Sequence, residues 1–140
     1  MTTKISQNNL DTALSASVAS GVTAAEKIAA FTLERHYRKP GILTVSTGTE
    51  KWYVPAASII TGIIARVETA PTNIQGIDIS VKVNAVSSAT LSINTSTFVS
   101  LLNTSTININ SNDIITVDVV NIGNTVPGSD LTVTFTYTRN

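Results

Sequence analysis

Along much of the chain apolar and polar residues alternate one by one. Ile115, Val117 and Val119 alternate with Thr116 and Asp118, and Leu131, Val133, Phe135 and Tyr137 alternate with Thr132, Thr134, Thr136 and Thr138. A two-residue period sends successive side chains to opposite faces, so each run predicts a strand with one buried face. Between the two runs, Gly123, Asn124, Pro127, Gly128, Ser129 and Asp130 supply turn-forming residues. The clearest alternation sets Ile77, Ile79, Val81, Val83 and Ala85 against Asp78, Ser80, Lys82 and Asn84. Shorter strands are predicted at residues 42–46 and 51–54, at 59–68 with Gly62 as a bulge or bend, around Leu91 and Ile93, and around Ile107 and Ile109. Residues 98–102 read as a mobile or edge element, and Ala70-Pro71-Thr72-Asn73 as a turn. With about eight strands and no long helix between them, the prediction is a mainly β protein: an antiparallel, jelly-roll-like β-sandwich, not a parallel α/β sheet.

The first forty residues follow a different pattern. Leu10, Leu14 and Val18 fall four apart on one face of a predicted helix that Gly21 ends. Thr23 and Glu26 have capping-box spacing, and Ala24, Ile28 and Phe31 form a narrow apolar stripe on a second predicted helix. So thin a stripe does not hold an isolated helix together. Its partner is either its own β-domain or another subunit or protein, and both readings stay open. Lys39-Pro40-Gly41 is the expected junction, which gives a partly helical N-terminal arm over 1–40 and a β-domain over 41–140.

Composition narrows the function classes. Nine Lys and Arg balance nine Asp and Glu, and a net charge of zero argues against a general nucleic-acid binder. No cysteine is present, which excludes disulfides and thiolate metal sites. Ser, Thr and Asn make up about a third of the chain, and Thr favours strands. The apolar stretch at 59–67 is too short to span a bilayer, so no membrane partner is expected. The polar start lacks the apolar segment of a secretory signal, and the expectation is assembly in the cytoplasm of a host. Charge is unevenly spread. Arg35, His36, Arg38 and Lys39 form a basic knot at the end of the second predicted helix, with Glu34 and Arg38 at pairing distance. This knot either caps that helix or docks on an acidic protein surface.

The sequence carries no catalytic constellation. His36 is the one histidine, it sits among bases, and no Gly-x-Ser-x-Gly elbow occurs. Asp78 and Asp118 could pair for glycoside hydrolysis only across a cleft, and both read as polar-face strand residues. Asp113, Asp118 and Asp130 lack calcium-loop spacing. Asp113 more simply begins a strand, and Asp130 ends a turn by bonding its own backbone. No enzyme activity, cofactor or metal is therefore expected. Of the adjacent aromatics, Trp52 is read as core and Tyr53 as the candidate surface recognition residue.

The run from Asp113-Ile-Ile-Thr-Val-Asp-Val119 into Ile122-Gly-Asn-Thr and on through Gly128-Ser-Asp-Leu-Thr-Val133 resembles a β-sandwich module of tailed-bacteriophage structural proteins. Trp52-Tyr53-Val54-Pro55, Ala70-Pro71-Thr72 and the Asp-Ile-x-Val-x-Val pattern at 78–83 extend the resemblance over roughly residues 50–139. Where the family often has Gly-Asp before the long strand, this chain has Asn112-Asp113, and Asn tolerates the same left-handed backbone. The resemblance implies a non-enzymatic virion structural protein. Read as a complete chain with one arm and one sandwich, it implies a capsid decoration (cement) protein. The arm would anchor on the major capsid protein or another virion protein, and a homotrimer is expected. The expected contacts are Leu10, Leu14, Val18, Ile28, Phe31, Arg35, Arg38 and Lys39. The alternative is a short tail-fibre or receptor-binding protein that touches host polysaccharide.

Overall fold

In the computed structural model, residues 32–48 and 50–140 are described. Eight strands follow in order: β1 (Thr32–Ile42), β2 (Lys51–Tyr53), β3 (Ser58–Arg66), β4 (Ile77–Val83), β5 (Val86–Ile93), β6 (Ile107–Ile109), β7 (Ile114–Asn121) and β8 (Ser129–Arg139). They form two antiparallel sheets of four, in the orders β1-β8-β3-β6 and β2-β7-β4-β5. The described residues contain no helix, and the protein is mainly β.

The alternation expected from sequence determines which side chains face inward. Ile60, Ile63 and Ala65 of β3 and Leu131, Val133 and Phe135 of β8 come from one sheet. Ile77, Ile79 and Val81 of β4, Leu91 and Ile93 of β5, and Ile115, Val117 and Val119 of β7 come from the other. All belong to one hydrophobic cluster, so the inner faces of both sheets share a core. Burying a side chain of this size contributes about 1.5–3 kcal/mol, and these residues are the main source of stability.

Local rules explain the connections. Gly62 sits at a register shift between β3 and β8, as a bulge at that glycine requires. Asn84 and Ala85 both have positive φ, 50° and 69°, and form the two-residue turn between β4 and β5. The alternation had carried that strand through Ala85. The turn instead ends it at Val83, because both turn residues must leave the extended region. Asn112 has φ 71°, the left-handed backbone expected of it. At Gly123 an added Cβ would lie 2.0 Å from the Val126 carbonyl oxygen, so only glycine permits this close approach.

Several expectations need correction. Residues 32–39 are strand, not the end of a helix: β1 runs through the expected junction at Lys39-Pro40-Gly41. Proline is tolerated there because β1 is the edge strand of its sheet. Pairing with β8, which lies almost a hundred residues away in sequence, decides the conformation. His36 Nδ1 lies 3.0 Å from Thr134 Oγ1, and the Gly41 N–H donates to Asp130 Oδ1 at 2.8 Å. Residues 42–46 are not a separate strand; Ile42 closes β1 and Ser46 makes one bridge to Val119. β5 begins at Val86, earlier than the Leu91–Ile93 stretch predicted. Residues 98–102 form no strand, yet Val99 bridges Arg66 and Asn103 bridges Ile63, so the segment continues the β6 edge along β3. The helices expected at 10–18 and 24–31, with Leu10, Leu14, Val18, Ile28 and Phe31, lie outside the described residues.

Candidate interaction surface

β1 and β2 are edge strands of different sheets, and between them opens a cleft of about 120 Å³. Its inner wall is apolar: Tyr37, Phe135, Ile115, Val117 and Trp52. Its mouth is charged: Arg35, His36, Glu50 and Lys51. The strand period produces this division. On β1, Arg35 and Tyr37 share one face, and Tyr37, 7% exposed, is the one buried side chain of the strand. On β2, Trp52 turns toward the core between Lys51 and Tyr53, which face out.

Trp52 is half-buried and packs at the rim of the core. Its ring meets Tyr137 at 5.1 Å and Phe135 at 6.0 Å between centroids, both tilted, the geometry in which ring edges meet ring faces. The Arg35 guanidinium carbon lies 5.7 Å from the Trp52 ring centroid, within cation–π range. Trp52 thus faces inward but lies half-buried against the core rather than within it. Tyr53 is 62% exposed on the outer side of β2.

The basic knot takes a different form from the one expected of a helix. On a strand, Glu34, His36 and Arg38 share one face and Arg35 points to the other. The Glu34–Arg38 contact is replaced by Glu34 Oε2 to His36 Nε2 at 3.7 Å. Lys39 Nζ donates to Ser46 Oγ at 2.6 Å. Among the described residues the ion pairs are His36–Glu34 and Lys82–Asp118, so neither Arg35 nor Lys51 meets a carboxylate there.

The acidic residues weighed for chemistry are held by local partners. Asp118, 5% exposed, receives Lys82 Nζ at 2.6 Å and the Gly48 N–H at 2.7 Å. Asp78 accepts from Ser92 Oγ at 2.6 Å and from Asn121 Nδ2 at 2.8 Å. Asp113 does begin β7's approach. It accepts the Asn110 N–H and Asn84 Nδ2, each at 2.7 Å, and these bonds hold its carboxyl below the usual carboxylate range. Asp130 does not bond its own backbone. Its φ of 56° turns the side chain onto the Gly41 N–H of β1, and that bond, with Ser129 Oγ at 2.8 Å, lowers its pKa. No group of three or more His, Asp or Glu side chains among the described residues is placed to hold a metal ion. Sequence reasoning missed the cleft. Its walls come from β1, β2, β7 and β8, and the one local signal was Trp beside charged residues at 50–53.

No family model matches the chain, and no curated protein matches it.

Proposed function

We propose that the chain is a non-enzymatic structural protein of a tailed-bacteriophage virion, a capsid decoration protein that reinforces the shell. The observation that carries this reading is the strand pairing. Strands 1 and 8, 2 and 7, 3 and 6, and 4 and 5 are neighbours, as when one long hairpin is rolled up into two sheets. That winding fits a jelly-roll sandwich, an architecture recurrent in viral capsid proteins as well as in lectins and cupins. It joins the resemblance at 50–139, which points to phage particles. In this reading the N-terminal residues anchor on the major capsid protein and the sandwich protrudes from the capsid surface. Trimers sit on threefold positions, and stabilisation comes from area buried across subunit boundaries. The second reading, a short tail-fibre protein that binds host polysaccharide, draws on Tyr53, a phenol ring exposed on the outer face of β2.

The test is co-sedimentation of the purified chain with emptied virus heads and with host cells, with and without residues 1–31. The truncation must stop at 31, because β1 starts at Thr32 and a longer deletion would remove a sheet strand. Decoration predicts saturable binding to heads alone that disappears with residues 1–31. Binding to cells that survives the truncation moves the function to the outer surface of the sandwich and the fibre reading.

A further inference from the structure

We propose that the β1–β2 cleft is a docking slot for an acidic surface segment of the shell protein, one that inserts a single apolar side chain between Arg35 and Lys51. This rests on the decoration reading and names the surface that would add to the anchoring residues. Three features of the cleft support it.

The first is shape and lining. A space of about 120 Å³ with Tyr37, Trp52, Phe135, Ile115 and Val117 on its inner wall and charged residues at its mouth suits one aliphatic or aromatic side chain. Small pockets with apolar floors are where the energetically dominant residues of interfaces insert.

The second is charge. Arg35 and Lys51 at the mouth outnumber Glu50, and neither cation has a carboxylate partner among the described residues. Further along β1, Arg38 and Lys39 share a surface hollow with Glu68 and Asp130, so the excess of base is confined to the cleft mouth. An acidic partner segment complements it.

The third is pre-organisation. Arg35 is held over the Trp52 ring, which orients a planar fork of donors at the mouth before any partner arrives. A carboxylate there would meet a guanidinium that the ring already partly orients.

The experiment uses the full chain and emptied heads, with bound protein measured against protein concentration at low and at moderate salt. Lys51→Glu and Arg35→Glu are compared with Arg66→Glu, an exposed cation outside the cleft that makes the same change in net charge. A fourth variant, Leu101→Asp, alters the exposed apolar segment on the opposite edge. Folding of each variant is checked by its thermal transition; Lys51→Glu, exposed and outside the core, is the variant that keeps the test valid if Arg35→Glu loosens β1. The slot predicts that Lys51→Glu weakens head binding at least about tenfold and flattens its salt dependence, with Arg66→Glu and Leu101→Asp near wild type. Equal loss in Lys51→Glu and Arg66→Glu, or loss confined to Leu101→Asp, overturns the slot and leaves the decoration reading standing. A wild-type chain that fails to bind heads overturns the decoration reading itself. Loss of cell binding in Lys51→Glu, with heads unbound, would make the cleft a site for acidic polysaccharide instead.

Discussion

The central strand pairs and the β1–β2 edge are built on different rules. β3 with β8, and β4 with β7, each place an apolar row on the core, and β8 turns a row of threonines outward. Their conformation is over-determined, since pattern, propensity and burial agree. On β1, Tyr37 alone is buried, and β2 is three residues long. These edge strands are held by a few specific contacts: His36 to Thr134, Gly41 to Asp130, Trp52 to Tyr137 and Phe135. The fold thus keeps its stability in the middle of the sheets and places its unpaired cations and half-buried aromatic at the rim, where they remain available.

The largest expected effect breaks the central rule. Phe135→Ala removes a fully buried ring shared by the core and the back of the cleft, and should destabilise the protein by about 3–5 kcal/mol in denaturant unfolding. A loss below about 1 kcal/mol would show that the core repacks freely and that the cleft has no rigid floor. Tyr37→Ala tests the edge. It removes the one buried anchor of β1 and should cost about 2–3 kcal/mol, because an edge site relaxes more readily than the centre. Hydrogen exchange should show that the loss lies mainly in β1; uniform loss across both sheets would mean that the edge is as integral as the middle.

The smallest effect is on pH. The carboxyls of Asp113 and Asp130 are held low by backbone and side-chain donors. A folded pKa below the unfolded one contributes stability that is complete at neutral pH. It is lost as pH falls below the ordinary carboxylate range through the lowered values. Asp130→Asn should therefore reduce stability at pH 7 and leave it nearly unchanged in strong acid. Equal effects at both pH values would show that the Gly41–Asp130 contact does not hold β1 to β8.

Much of the fold was legible because most strands carry their own evidence. The alternations at 77–83, 114–121 and 129–139, the glycine at the β3 bulge and the turn residues between β7 and β8 all act locally. β1 was not legible. Its apolar content is one buried Tyr, a half-exposed Leu33 and a largely exposed Ile42, and Glu34 with Arg38 fits helical spacing as well as any strand pattern. Asp130 misled for a related reason: turn chemistry allowed a bond to its own backbone, while a neighbouring strand offered the Gly41 N–H. Of the candidate surface, alternation required that one of Trp52 and Tyr53 face inward, but that Arg35 would cover Trp52 did not follow from it.

The sequence by itself determined that this is a β protein and which faces of its central strands are buried, because side-chain period and backbone sterics act over a few residues. Only the tertiary structure decided that residues 32–42 are a strand, that strands far apart in sequence pair, and that Arg35, Lys51 and Trp52 meet at one cleft. Those outcomes depend on contacts between residues tens of positions apart, for which no local pattern encodes the partner.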